Sequence, residues 1–462
     1  MTDADCGRQL CRFLFGHCEA VGSEEEANRA KFDCLVHMTQ KLYALVQGRI
    51  KPDNPDSLAW QEFLLPGHLF TMIFKEKLED VLLGIRAQIQ RDIKRFPEKV
   101  QFRGSTSYFK SVLDKQVDVG QRMRHFLVTG NVTSRTGLDL MQVTGFTILA
   151  DKLNYFRYLS HFRSVHRGSF FTTMKTTTVR KLLPESWGFV CPVHTPDGSP
   201  CGLLNHIAVN CRPLTHPLKD FDTPAHLRAF LVLLGELGMS PLHGFTGLVH
   251  DSSALSVILD GRVIGKLIPQ NAKRFLFQLR SLKVKGHPLV PRLMEICAVL
   301  DWQDRVYPCV TLSTTPARVV RPVRYLGTAS DSQEYIEYVG PMEQVWMDIG
   351  CTDEDFRVGE TTHMEISPTH MLSLVSSLTP FSDFNQSPRN MYQCQMGKQT
   401  MGTPFHTLLH RTDNKAYRLQ TPQQPLCLSP LYEQFQMEEY PLGTNAVVAV
   451  ISYTGKNPNN AL

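Results

Sequence analysis

The sequence has no apolar run near the roughly 18 residues that a membrane-spanning helix requires, so no membrane partner is expected. It has no Cys-x-x-Cys pair among its twelve cysteines, which removes the commonest zinc and thiol-redox spacings. Cys191, Cys201 and Cys211 recur at ten-residue steps, but that is not a ligand spacing, and no metal site is predicted. Buried free thiols in a reducing compartment are the expected state. Residues 1–6 are acidic and lack an apolar segment, which predicts no secretory leader. Internal repeats and low-complexity tracts are missing. So is a P-loop, because Tyr392 stands where that motif needs its first glycine ahead of Lys398. No carboxylate cluster suited to a catalytic magnesium is visible in the sequence.

At 462 residues the chain is long enough for roughly three domains, and its 42% hydrophobic and 20% charged side chains are those of a folded protein. Its helical and strand patterns make it a multidomain α+β chain. The net charge of +5 is modest, and its distribution says more than its sum. Residues 86–124 carry ten Lys/Arg against four Asp/Glu, and residues 152–184 carry seven Lys/Arg and no acid. Over residues 331–365 the sign reverses, with ten acids opposed only by Arg357. Such segregation predicts one face turned toward a polyanion and another kept from it.

Apolar residues recur at three- and four-residue steps through Phe32, Leu35, Val36, Met38, Leu42 and Leu45. They recur again through Phe70, Phe74, Leu78, Val81, Ile85, Ile89, Ile93 and Phe96. Two amphipathic helices with core-facing stripes are predicted, the second ending at Pro97. Residues 203–211 read as a strand. Residues 256–266 read as a hairpin turned by Asp260-Gly261, a pair that readily supplies positive φ values. Residues 266–285 follow a basic helical pattern, and the acidic stretch suggests a small mixed subdomain. Residues 446–453, Ala-Val-Val-Ala-Val-Ile-Ser-Tyr, predict a strand buried on both faces.

Two segments carry chemistry. Residues 385–402, Asn-Gln-Ser-Pro-Arg-Asn-Met-Tyr-Gln-Cys-Gln-Met-Gly-Lys-Gln-Thr-Met-Gly, place Arg389 and Lys398 among amide side chains with no acid from 384 to 412. Cations with amide donors suit a phosphate backbone gripped without reading its bases. The acid-free block 152–184 interleaves Arg157, Arg163, Arg167, Lys175, Arg180 and Lys181 with Tyr155, Phe156, Tyr158, Phe162, Phe170 and Phe171. Cations there can neutralise phosphates, while the aromatics can stack on unpaired bases or fill a core. Asp197, in Pro-Asp-Gly, suits a tight turn or an electrostatic contact.

The 385–402 wording resembles a signature of the second-largest, beta-like subunit of multisubunit DNA-directed RNA polymerases. Further matches are Ser134-Arg-Thr-Gly, Leu159-Ser-His-Phe-Arg, residues 183–198 (Leu-Pro-Glu-Ser-Trp-Gly-Phe-Val-Cys-Pro-Val-His-Thr-Pro-Asp-Gly) and Cys201-Gly-Leu, which resemble that family's fork. The resemblance runs from about residue 54 to 455, and its details are most like the polymerase I type. It implies a partial lobe at 1–67, a protrusion segment at 68–130, the fork at 131–212, external regions at 213–300 and 301–362, and the start of the hybrid-binding domain at 363–462.

By the same resemblance, Arg389 would hold an incoming nucleotide's triphosphate, and Lys398 and Gln399 would touch RNA phosphates. Arg135, Arg163, Arg167, Phe170, Phe171, Lys175 and Asp197 would face nucleic acid at the fork. The implied reaction is template-directed nucleotidyl transfer with Mg2+ bound mainly by the largest subunit. The implied partners are that subunit, other polymerase subunits, template DNA, nascent RNA and nucleoside triphosphates, in the nucleus and nucleolus. After Gly455 the family pattern of an aromatic and an acid pair is replaced by Lys456, Asn459 and Asn460. A truncated chain is therefore implied, inactive alone and without the Zn2+ site of the family's C-terminal clamp. The rival readings are a non-catalytic interaction or assembly protein and a single-strand nucleic-acid-binding module.

Overall fold

A computed structural model describes the chain except residues 1–5, 8–9, 12, 19–23, 97–105, 135, 141, 219–222, 243–252, 327–334, 413–414 and 451–462. In chain order the helices are α1 (Glu24–Val46), α2 (Pro66–Arg95), α3 (Thr106–Leu113), α4 (Val119–Thr129), α5 (Tyr155–Phe162), α6 (Pro224–Glu236), α7 (Pro269–Lys285), α8 (Pro341–Gln344), α9 (Leu374–Ser377), α10 (Ser387–Gly397) and α11 (Pro430–Gln434). The strands are β1 (Ser164–His166), β2 (Leu204–His206), β3 (Arg212–Pro213), β4 (Ser240–Pro241), β5 (Leu255–Leu259), β6 (Arg262–Leu267), β7 (Glu295–Val299), β8 (Cys309–Ser313), β9 (Val319–Tyr325), β10 (Tyr335–Val339), β11 (Ile349–Gly350) and β12 (His363–Met364). None of the described helices is long and apolar enough to cross a membrane.

Two compact units form. One comprises residues 1–147, 169–190 and 210–371, and the other comprises 148–168, 191–209 and 372–462. The stretch 131–212 thus contributes to both.

In the first unit a five-stranded sheet runs β4-β6-β5-β8-β7, antiparallel except for the parallel β5–β8 pair. Phe230 and Leu234 of α6, and Phe275 and Leu279 of α7, pack on Val257, Leu259, Ile296, Val310 and Leu312. The predicted hairpin is present: Asp260 and Gly261 adopt φ of 47° and 81°, the paired positive values of a primed turn. The Asp260 carboxylate accepts from Thr314 N and Oγ1, both at 2.6 Å, which offsets the strain of a left-handed Asp. A second five-stranded sheet runs β10-β9-β12-β11, with β3 also on β9. Ile73 of α2 and Met123 and Phe126 of α4 form a smaller helical core with Val132.

The acidic stretch is not wholly a solvated face. Glu337 and Glu343 are each 1% exposed and act as internal counter-ions to α7. Arg280 Nη1 lies 2.5 Å from Glu337 Oε1, and Lys283 Nζ lies 2.9 Å from that oxygen and 3.4 Å from Glu343 Oε1. His363 Nε2 meets Glu337 Oε2 at 2.8 Å. Burial alone would raise the Glu337 carboxyl, but Lys283 and Arg280 outweigh it and hold the group well below the carboxylate range. Asp348, Asp353, Glu354, Asp355 and Glu360 are exposed.

Both amphipathic helices form, yet their stripes are largely exposed. On α1 the buried positions are Ala27, Lys31, Cys34 and Ala44, while Phe32, Leu35 and Leu42 face outward. Small side chains let α1 approach β6 closely, and the large ones are left on the opposite face. On α2 only Ile73 and Glu76 are buried, and Phe70, Phe74 and Leu78 are each about 40% exposed.

The second unit has a two-stranded β1–β2 ribbon and a core of Val209, Leu374, Val375, Leu378, Cys394, Leu431, Tyr432 and Met437. The predicted strand at 203–211 is broken: β2 ends at His206, and Ala208 then bridges to Ser373. Residues 446–450 form no strand, with Val447, Val448 and Val450 at 105, 79 and 95% exposure. That corrects the expectation of a doubly buried strand. The rest of that segment, and the departure after Gly455, lie outside the described residues.

Candidate functional site

The 385–402 segment folds as an extended turn, then α10, then a loop carrying Lys398. Pro388 pre-sets the first helical turn, and Arg389 N and Asn390 N both donate to Gln386 O, at 2.9 and 3.2 Å. Asn390 Nδ2 donates to Ser382 O at 2.7 Å, and Asn385 Nδ2 to Asn390 Oδ1 at 3.3 Å, so these two amides brace the turn. Phe381, before the turn, holds a left-handed φ of 55° while 64% exposed. A bulky residue in that region stores about 1–2 kcal/mol of strain.

Cys394 anchors α10 in the core at 0% exposure. Opposite it, Arg389 is exposed in the first helical turn, where no acid is present. Its guanidinium has no hydrogen-bond or ion-pair partner among the described residues. A cation beside a helix N-terminus is unfavourable for the helix alone, and both features attract an anion.

Lys398 is positioned by a side chain far away in sequence. Asn154, 0% exposed, caps α5 by accepting from Arg157 N at 2.8 Å. Its Nδ2 donates to Gly397 O at 2.8 Å and Thr400 O at 3.0 Å, clamping the loop on either side of Lys398. Lys398 Nζ then reaches His206 Nε2 at 3.2 Å. His206 Nδ1 lies 3.1 Å from His194 O, so a neutral His206 donates there and accepts from the ammonium. The His194 and His206 rings stack at 3.5 Å, and His194 Nδ1 meets Ser373 Oγ at 2.6 Å. Burial, then the Lys398 charge, lowers His206 to about 3, while burial and the His206 neighbour hold His194 well below its usual value. Burial lowers Lys398 itself to about 8. Gln399 beside it is exposed.

The other predicted contacts separate. In this unit Arg163 donates through Nη2 to Ala208 O at 2.8 Å and Val209 O at 3.0 Å, so that nitrogen holds the chain after β2. The Arg167 backbone N–H donates to Leu203 O at 2.9 Å, and its side chain is half-buried. Asp197 is exposed, and its carboxylate accepts from Gly198 N at 2.9 Å, which is turn geometry. Arg157 pairs with Asp151 at 2.9 Å, and Tyr155 stacks on Tyr440 at 3.8 Å in the core. In the first unit, Phe170 and Phe171 form an edge-to-face pair at 5.6 Å, with Phe170 45% exposed, and Lys175 is exposed. Arg135 lies outside the described residues. Sequence reading missed Asn154 and the stacked histidines. His206 sits in an ordinary-looking strand, and no local signal marks Asn154 beyond its place ahead of a helix.

Comparison with known families places these residues in context. The family described as RNA polymerase Rpb2, domain 3 matches residues 148–212, and RNA polymerase Rpb2, domain 6 matches residues 375–462. RNA polymerase I, Rpa2 specific domain matches residues 264–321, which include α7, β7 and β8. The chain is 47% identical to DNA-directed RNA polymerase I subunit RPA2 of Neurospora crassa, over 100% of this chain and 36% of that protein. It is 46% identical to subunit RPA135 of Saccharomyces cerevisiae, over 100% of this chain and 37% of that protein. It is 44% identical to subunit RPA2 of Homo sapiens, over 98% of this chain and 38% of that protein. The chain therefore spans a little over a third of the length of these relatives. Identity of this order along the whole chain, with a polymerase I-specific domain inside it, makes the chain a member of the second, beta-like subunit family of RNA polymerase I.

Proposed function

We propose that the acid-free face of α10 and the Lys398 loop grip nucleotide and RNA phosphates within a DNA-directed RNA polymerase I. The chain would thereby contribute to DNA-templated ribosomal RNA synthesis, a nucleotidyl transfer in which the RNA 3′ hydroxyl attacks a nucleotide α-phosphate and pyrophosphate leaves. The observation that carries this reading is the exposed, unpartnered Arg389 guanidinium in the first turn of an acid-free helix. Its planar donors and fixed charge suit a triphosphate. Lys398, held in place by the Asn154 clamp, and exposed Gln399 would meet RNA backbone phosphates.

The remaining assignments are part of the same proposal. Arg135, Arg167, Phe170, Phe171, Lys175 and Asp197 serve the fork, and Arg163 supports it by organising the chain after β2. The partners are the largest subunit, other polymerase subunits, template DNA, nascent RNA and nucleoside triphosphates, in the nucleus and its nucleolus. Around Arg389 and Lys398 the donors are cations and amides, which do not fit a divalent cation. Magnesium is accordingly assigned to the largest subunit, and no step is routed through it here.

The test uses a full-length subunit in assembled polymerase. Arg389→Ala should raise the nucleotide requirement and cost on the order of 2–4 kcal/mol in transition-state stabilisation. Arg389→Lys should cost less, since it keeps the charge but loses the fork of donors. Binding of a preformed template–RNA hybrid should hardly change. If Arg389→Ala weakens the hybrid while sparing nucleotide use, the assignment fails.

A further inference from the structure

Three side chains of metal-ligating type converge in the first unit. His17 and Cys18 lie on the short turn Gly16–Cys18, and Cys34 lies midway along α1. One ligand atom from each falls within 4.8 Å of the others. Cys18 and Cys34 are 1 and 6% exposed, whereas His17 faces solvent. The β5–β6 turn closes over them: Gly261 O lies 3.3 Å from His17 Nε2 and 3.4 Å from Cys34 Sγ.

We propose that His17, Cys18 and Cys34 form a Cys2His site for a soft divalent cation, zinc foremost, which staples the Gly16–Cys18 turn and α1 onto the β5–β6 hairpin. Two sulfurs and an imidazole select zinc over the hard cations, which want oxygen. Tetrahedral zinc bonds of about 2.3 Å to sulfur and 2.0–2.1 Å to nitrogen need ligand atoms roughly 3.5–3.8 Å apart, so only about an ångström of closure is required. Exposure on the His17 side leaves the fourth position to water.

Charge balance points the same way. Binding M2+ releases both thiol protons to solvent and leaves a cluster with no net charge: one dication, two thiolates and a neutral imidazole. A neutral cluster is what a buried site tolerates. The sequence concealed the site because its ligands come from a turn and from a helix position sixteen residues beyond Cys18, without a pair motif.

The full chain, kept reduced and stripped by chelator, is titrated with Co2+ and then Zn2+. One Co2+ per chain should bind with a thiolate-to-metal charge-transfer band, release about two protons and be displaced by one Zn2+. The Cys18→Ser/Cys34→Ser double variant should lose binding, and His17→Ala should weaken it by about tenfold or more. Cys351→Ser and Cys427→Ser, both at exposed positions, should change nothing. A misfolded serine variant would mimic lost binding. Cys34→His, which keeps a donor, is therefore titrated alongside and should bind one Co2+ with a charge-transfer band of roughly half intensity. The proposal is overturned by an absent charge-transfer band, by binding that survives the double serine variant, by folded Cys34→His that binds nothing, or by a Cys18–Cys34 disulfide under the same reducing conditions.

Discussion

Lys398 offers the most discriminating test of the proposed phosphate grip, because its charge titrates within reach of experiment. Burial lowers it to about 8, so it is about 90% protonated at pH 7 and about 10% at pH 9. An ordinary surface lysine would stay charged until about pH 10. If the ammonium meets an RNA phosphate, its share of affinity falls as pH rises through 8, by up to about tenfold per pH unit beyond it. The salt dependence should shrink by about 0.7 over the same range, one phosphate contact on a single strand. Stability moves the other way. The folded pKa lies below the unfolded one, so between about 8 and 10.5 the unfolded chain holds a proton that the folded chain has shed, and stability rises with pH. Lys398→Met should therefore stabilise the chain at pH 7, by about 1–2 kcal/mol after allowance for the side chain's partial exposure. It should bind RNA more weakly, while Lys398→Arg should bind with a flat pH profile. The measurements are anisotropy of single-stranded RNA carrying a pH-insensitive dye, from pH 7 to 9 at several salt concentrations, and denaturant unfolding at the same pH values. Identical pH profiles for the unaltered chain and Lys398→Arg would refute the reasoning.

Asn154→Ala should destabilise the chain by about 2–4 kcal/mol in denaturant unfolding, because it removes a cap and orphans two loop carbonyls. It should also weaken RNA binding as Lys398→Met does; unchanged binding would mean that the clamp does not position the lysine. Lys283→Met should cost about 3–5 kcal/mol by leaving Glu337 and Glu343 short of a buried counter-charge, and thermal unfolding that hardly shifts would contradict this. Lys175→Ala with Lys181→Ala should flatten the salt slope of single-strand binding by up to about 1.4, since both side chains are exposed. Arg163→Ala should instead lower stability, by releasing the Ala208 and Val209 carbonyls.

What the sequence made legible was what depends on neighbours along the chain. The Asp260-Gly261 hairpin formed because the turn chemistry and the flanking alternation agree within a dozen residues. The α2 and α7 helices formed from their own periodicity and end signals, Pro at each start and Gly286 in the left-handed conformation after α7. Periodicity could not say which side of α1 would be covered. That was decided by the packing of α1 against β6, which buries Ala27 and Cys34 and leaves Phe32 and Leu42 outside. Charge segregation misled for a related reason. The acids at 337 and 343 and the cations at 280 and 283 belong to separate runs in the sequence, yet they meet as one buried ion cluster. The same applies to the site. Arg389 was legible because an exposed cation in an acid-free helical turn is a local fact. Lys398 was legible as a residue but not as a titrating group, because its low pKa comes from burial created by the fold and, after that, from the Arg157 charge in a distant segment. Asn154 acts across 243 residues to Gly397. Cations standing clear of acids can be read from a sequence; the neutral side chains that hold them, and the burial that tunes them, become visible only once distant segments are brought together.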